Sequence, residues 1–228
     1  MTTIVLPSNI TISEVKEPTE EMIDQAVKLT NALQVGDPSC KAWTGGNLEL
    51  LPLLMHAIIK ATWLWEGAGI TYVATDENGV LVGFSQWLPL GQDLFGSEDR
   101  RQFGFDEFME KMSDEAKKYF AESLGREFPK YLDEAFGIPQ SQTKVHFCNL
   151  VMVQPEYQGK GIASAMFKMA YEEAKQMGAV VALSTGNEHN IVVYEHIGLT
   201  VKGHQVFQSP WGEWPSWAFA WETNPKEP

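Results

Sequence analysis

The sequence predicts an α/β fold of the α+β kind, helices packed on a sheet. Three observations carry this. Segments with apolar residues at helical spacing alternate with short, β-rich runs. An Asn78-Gly79 pair separates two apolar runs, which is a strong hairpin signal. The run Val145–Val153 passes through a glycine-rich turn directly into a helical pattern. With 228 residues, 44% hydrophobic and 11% aromatic, the chain can bury a sizeable core in one domain, and extended disorder is excluded.

Thr11–Val15 alternates polar and apolar residues and suits a first strand. After Pro18, Thr19 can cap a helix whose first turn holds Glu20 and Glu21, and Gly36-Asp37-Pro38-Ser39 ends it. A second helix is expected from Leu51 to Trp65, with Pro52 in the first turn, where its missing N–H does no harm. Ile70–Ala74 and Val80–Trp87 form the hairpin arms. Residues 92–143 are charged, lack strand-like runs and show helical spacing in Phe105, Phe108, Met109 and Met112. They read as a helical insertion too short for a stable core of its own. Val145–Val153 is the clearest strand, followed by a helix from Gly161 to Met177 with Gly178 as its stop. Ala179–Ser184 is a further strand and Asn187–His196 a short helix. Leu199–Gln208 and Trp217–Glu222 close the chain as an antiparallel pair around the loop Ser209–Pro215.

Charge narrows the function. Acidic residues number 30 against 17 basic, a formal net charge of −13. Neither a nucleic acid nor an acidic membrane surface is an expected partner. The excess is uneven: −6 over residues 1–91, −5 over 92–143, and only −1 over 144–198. That late, nearly neutral stretch can tolerate an anion. Two cysteines, Cys40 and Cys148, make no disulfide scaffold, and no paired Cys/His spacing or H-E-x-x-H points to a metal. The first ten residues do not resemble a signal peptide, no apolar run is long enough to span a bilayer, and a cytoplasmic protein is expected.

The most informative segment runs from Val151 to Ala163. A strand enters a turn containing Gly159 and Gly161, and a helix starts at once. Glycines allow close backbone approach to a ligand. The helix start offers unpaired N–H groups and partial positive charge, so the turn is a cradle for phosphate that needs few basic side chains. The P-loop pattern is absent. Gly159, Gly161 and Ser164 nearly match a dinucleotide fingerprint, but that motif normally opens its domain. Gln158, Gly161 and Ala163 satisfy a third pattern, Q/R-x-x-G-x-G/A. With Pro155 and the flanking strand and helix, this resembles the acetyl-CoA-binding motif of the GCN5-related N-acetyltransferase (GNAT) superfamily. Asn187, Tyr194, Glu195 and Gly198 are similar to a second segment of that family, at the expected distance, while Asn190, His196 and Leu199 depart from its commonest residues.

The resemblance covers about residues 144–200 and implies a mixed, mostly antiparallel sheet flanked by helices. Residues 1–228 would form one acetyltransferase domain, with the 92–143 insertion covering one side of the acceptor cleft. Acetyl-CoA would be the co-substrate, without a metal. Backbone N–H groups of Gln158, Gly159, Lys160, Gly161, Ile162 and Ala163 would hold its pyrophosphate, with Ser164 beside them. The strand edge at Val151, Met152 and Val153 would pair with the pantetheine amides, and Asn187 would orient that arm. Tyr194 would protonate the leaving thiolate. His146 is the expected general base, with Glu66, Asp93 and His204 as other options. Four of eight tryptophans fall between Trp211 and Trp221, and Trp211, Trp214 and Trp43 are expected to wall the acceptor pocket, where an aromatic face attracts a cation. The acceptor implied is a small-molecule primary amine. Acetylation of protein N-termini or lysines, or non-catalytic acyl-CoA binding, are the alternatives.

Overall fold

The computed structural model describes residues 6–64 and 69–223. Strand β1 (Thr11–Glu14) leads into α1 (Glu20–Gln34), whose first turn is capped by the Thr19 hydroxyl accepting from the Met22 N–H at 3.2 Å. A helix that the sequence reading missed follows, α2 (Pro38–Trp43). Asp37 caps it by accepting from the Ser39 N–H at 2.9 Å, and Pro38 occupies its first turn. The Gly-Asp-Pro-Ser stop signal of α1 is therefore also a start signal. A 3₁₀ turn (Leu48–Leu50) precedes α3 (Leu51–Trp63). The expected end of this helix at Trp65, and Glu66, lie outside the described residues. Strands β2 (Ile70–Thr75) and β3 (Leu81–Leu88) form the hairpin.

The 92–143 segment is helical as expected: α4 (Glu98–Arg101), α5 (Phe105–Lys111), α6 (Asp114–Tyr119), a π-helical stretch (Phe120–Glu127), α7 (Phe128–Phe136) and α8 (Ser141–Lys144). Pro129 does not interrupt the run. The π-helical stretch before it has already changed the hydrogen-bond pattern, so the proline is carried in the first turn of α7. Then come β4 (His146–Val153), a 3₁₀ turn (Pro155–Tyr157), α9 (Ile162–Gln176), β5 (Val181–Thr185), α10 (Asn190–Ile197), β6 (Thr200–Phe207) and β7 (Trp214–Trp221).

The seven strands form one sheet in the order β1-β2-β3-β4-β5-β7-β6. All neighbours are antiparallel except β4 and β5, which are parallel. Strand periodicity sets the two faces. Tyr72 and Ala74 join Met166, Phe167 and Ala170 of α9 on one face. Val73 joins Ile23 of α1 and Ile59 of α3 on the other. Helices therefore cover both sides, and β3 is buried along its whole length.

No residue of the insertion lines either of the two cavities that flank β4. Phe105, Phe108 and Met112 pack against Leu54 and Met55 of α3, while Tyr131 and Leu132 pack against Phe207, Trp214 and Ala218 at the β6–β7 end of the sheet. It is a buttress whose apolar stripes complete two clusters they share with the rest of the chain.

Candidate active site

The site begins with a break in a ladder. β4 and β5 pair only at His146–Val181, Phe147–Ala182 and Cys148–Leu183. Beyond Cys148 the strands part, and the edge of β4 facing β5 is open. On its other edge β4 stays paired with β3, but the register slips: Gln86 opposes Leu150 and Trp87 opposes Cys148, so Asn149 is an extra, bulged residue.

The bulge decides which groups face the gap. Before it, the His146 N–H donates to Val180 on the β5 side. After it, the Gln154 N–H donates to Val82 on the β3 side. With period two, Val151 and Val153 then turn their N–H and C=O groups toward the gap, and Met152 turns its own toward β3. The Met152 side chain packs on the α1 face. The Gln158 side chain ties off the strand end by donating to the Val153 carbonyl at 3.0 Å.

The turn after β4 holds a run of free donors. Gly159 and Gly161 have φ of +72° and +80°, a left-handed backbone that glycine adopts at little cost. No side chain caps α9. Among the described residues, the N–H groups of residues 159–164 have no protein acceptor; the first helical bond is from the Ala165 N–H to the Gly161 carbonyl. Six consecutive donors at a helix start form an anion cradle. Lys160 adds one exposed positive charge, its ammonium 5.1 Å from the Tyr157 ring centroid.

Two cavities flank the open edge of β4. The first, about 940 Å³, is lined by residues 157–164, by Val151 and Val153, and by Val192 and Val193 of α10. The second, about 740 Å³, lies on the α1–α2 side, where Asp37, Trp43, Asn149, Glu188 and Trp217 line it. Both are bordered by Val151, Val153, Gln158, Asn190 and Tyr194.

Tyr194 stands where the cavities meet. It is 7% exposed and packed between Phe167 and Phe219, with ring centroids 5.8 and 5.3 Å away. Burial, with Cys148 beside it, pushes its phenol above the ordinary tyrosine range. Burial likewise raises the Cys148 thiol, which lines the second cavity. Neither group ionises near neutral pH.

Several expected residues lie elsewhere. His146 does not reach either cavity. It is fully buried, its ring stacked on Trp87 at 5.2 Å, and Glu173 Oε2 is 3.9 Å from Nε2. It belongs to the paired root of β4, upstream of the bulge. Its ring nitrogens have no hydrogen-bond partner of normal geometry among the described residues. Burial lowers its pKa to about 4, a shift that the nearby Leu88 backbone opposes. Asp93 and His204 line neither cavity; His204 stacks on Trp217 at 4.5 Å.

Trp214 lines neither cavity. β7 begins at Trp214, so the preceding loop is shorter than expected and this side chain faces inward at 1% exposure. It stacks on Phe207 at 4.4 Å and donates to the Tyr119 hydroxyl at 2.8 Å. Trp211 packs edge-on against Tyr119 at 5.5 Å and also lines neither cavity. Trp43 and Trp217 line the second cavity. Asn187 lines the second cavity rather than the first, its Oδ1 accepting from the His189 N–H at 3.0 Å. This turn delays α10 to Asn190.

The sequence reading missed Asp37, Asn149 and Trp217. Asn149 had a signal: one amide side chain in the apolar run Phe147–Val153.

A seven-stranded mixed sheet, a splayed parallel pair and a run of free amides at the next helix match the architecture that the resemblance implies. The model of the acetyltransferase (GNAT) family matches residues 49–199, and the chain belongs to that family. No curated protein sequence matches it. Among solved structures, arylalkylamine N-acetyltransferase 2 from Aedes aegypti is similar over 95% of this chain and 100% of that one, at 16% identity and a TM-score of 0.61. A Corynebacterium glutamicum protein described as histone acetyltransferase HPA2 and related acetyltransferase is similar over 96% and 98%, at 17% identity and a TM-score of 0.59. An aminoglycoside 6′-N-acetyltransferase complexed with coenzyme A is similar over 96% and 99%, at 14% identity and a TM-score of 0.53. These likenesses are likenesses of fold.

Proposed function

We propose that the protein transfers an acetyl group from acetyl-CoA to the primary amine of a small molecule, by direct attack and without an acyl-enzyme. The observation that carries this reading is the meeting of two cavities at Tyr194, across the open edge of β4. The first cavity fits the cofactor. Residues 159–164 offer their free N–H groups to a pyrophosphate, and Val151 with its N–H and C=O and Val153 with its N–H offer partners to an extended amide chain, as an added strand would. When bound, acetyl-CoA supplies the activated acetyl group.

The second cavity fits a cationic acceptor. Asp37 and Glu188 line it beside His189, no Lys or Arg among the described residues does, and Trp43 and Trp217 contribute aromatic rings. Acetyl transfer forms a C–N bond and breaks a C–S bond. The amine must lose a proton and the departing sulfur must gain one. Tyr194, kept protonated by burial, donates to the sulfur. Asp37 and Glu188 stand on the acceptor side, where they can receive or relay the amine proton. Cys148, held as a thiol, is no nucleophile.

The test is release of free thiol from acetyl-CoA across a panel of small primary amines. Amine-dependent release supports the reading. Tight acetyl-CoA binding with no release from any amine contradicts it and favours a binding protein.

A further inference from the structure

The insertion lines neither cavity, yet its contacts converge on a residue that does. Trp43 lines the second cavity and packs against both clusters that the insertion completes. One of them holds Phe108, Met112 and Ala116, the other Tyr131 and Leu132. Trp43 therefore stands where both halves of the insertion reach the cavity wall.

Tyr119 makes the most specific of these links. It is the last residue of α6, and the π-helical stretch starts at Phe120. Segments of this kind are frequent at functional sites. The two neighbours face different clusters: Phe120 packs on Phe105 and Phe108, and Tyr119 packs with Trp214. The Tyr119 hydroxyl accepts from the Trp214 indole N–H at 2.8 Å. Trp214 in turn meets Trp43 edge to face, with 6.4 Å between ring centroids. Trp214 is closely packed on all sides, so it shifts little without moving its neighbours. The loop after Trp43 is held from the same helix. A Cβ on Gly45 would run into the Ala116 Cβ of α6, and one on Gly46 into the Trp211 ring, which packs edge-on against Tyr119. Trp43 is thus gripped through its ring by Trp214 and through its backbone by Ala116 and Trp211.

We propose that Tyr119 is a positioning residue for the acceptor. Through Trp214 it fixes the Trp43 ring at the cavity wall, so the helical insertion sets amine affinity without touching the amine. This rests on the acetyl-transfer reading above. A cation is held by an aromatic face only within about 6 Å of the ring centroid, so a ring free to tilt is a weaker partner. Without the Tyr119 oxygen the Trp214 N–H is left buried and unpaired, a cost that a shift of the indole relieves. A wall contact acts alike on the bound amine and on the transition state. Its loss therefore falls on KM and not on kcat.

The experiment measures thiol release from acetyl-CoA with the small primary amine that the wild type turns over fastest, in Tyr119→Phe, Trp43→Ala and the double variant. Tyr119→Phe should raise the amine KM by about fivefold or more, with kcat and acetyl-CoA affinity each within about twofold of the wild type. In the Trp43→Ala background the same substitution should change KM by less than about twofold, because its route is already gone. Tyr131→Phe is the packing control. It removes a similar bond from the same cluster, the one that Tyr131 donates to the Ser216 carbonyl at 2.9 Å. It should lower the melting temperature and leave the amine KM unchanged. Where Tyr119→Phe does not fold, Trp214→Phe removes the donor at the other end of the bond and should raise KM likewise. An unchanged KM in whichever of the two folds overturns this inference while leaving acetyl transfer intact. So does an equal rise in the Trp43→Ala background, or a rise of the same size in Tyr131→Phe. Thiol release from none of the amines overturns both readings together.

Discussion

Tyr194 and His146 are both buried titratable side chains, but only Tyr194 borders the gap. The ordering follows from the bulge at Asn149, which separates the paired root of β4 from its open end. His146 has a structural consequence instead. Its pKa is about 4 in the folded chain against 6.5 for an ordinary histidine. Between these values the unfolded chain binds a proton that the folded chain refuses. Stability therefore falls as pH drops from 6.5 toward 4, by about 3 kcal/mol at most for this one group. Urea melts at several pH values should show a smaller slope over that window in His146→Phe than in the wild type. Much of the residue-level site was legible. Gln158, Gly161 and Tyr194 stand in local patterns, and each borders the gap or the cradle. The second cavity was not legible in the same way, because Asp37, Asn149 and Trp217 are distant in sequence and meet only through the sheet. The expectation for Trp214 failed because a pattern of tryptophans does not reveal which one opens a strand.

At the scale of elements, the proposed anion cradle is built from the start of α9 rather than from side-chain charge. Gly161→Ala places a Cβ on a residue with φ of +80°, at a cost of about 1–2 kcal/mol. Titration calorimetry should show acetyl-CoA binding weakened by about five- to thirtyfold. Lys160→Ala removes an exposed charge, which water screens, and should weaken binding less, by about threefold. The opposite ranking would contradict the amide cradle. The strands, the hairpin and the longer helices were readable because each follows one period, with caps or turn residues at its ends. α2 was missed since one Gly-Asp-Pro-Ser tract ends a helix and begins the next. The gap between β4 and β5 is a property of the pair, and neither strand's sequence displays it.

For the whole molecule, acidity and the insertion matter most. Cationic amines should bind with a KM that rises with ionic strength, since screening shortens the reach of a −13 charge to about 10 Å at 0.1 M salt. A neutral acceptor analogue should show no such rise. The insertion shares its apolar stripes with α3 and the β6–β7 hairpin, so Phe108→Ala should lower global stability by about 3–5 kcal/mol in denaturant melts. Its helical character was visible in composition and spacing, whereas its docking away from the cavities depended on contacts distant in sequence. The central claim is that acetyl transfer occurs where the two cavities meet, with Tyr194 as the acid. Its most direct test measures amine-dependent thiol release and acetyl-CoA affinity together in the wild type and Tyr194→Phe. The account predicts turnover in the wild type and a loss of about a hundredfold or more in kcat for Tyr194→Phe, with acetyl-CoA affinity changed by less than about threefold. Wild-type turnover that persists undiminished in Tyr194→Phe would contradict it.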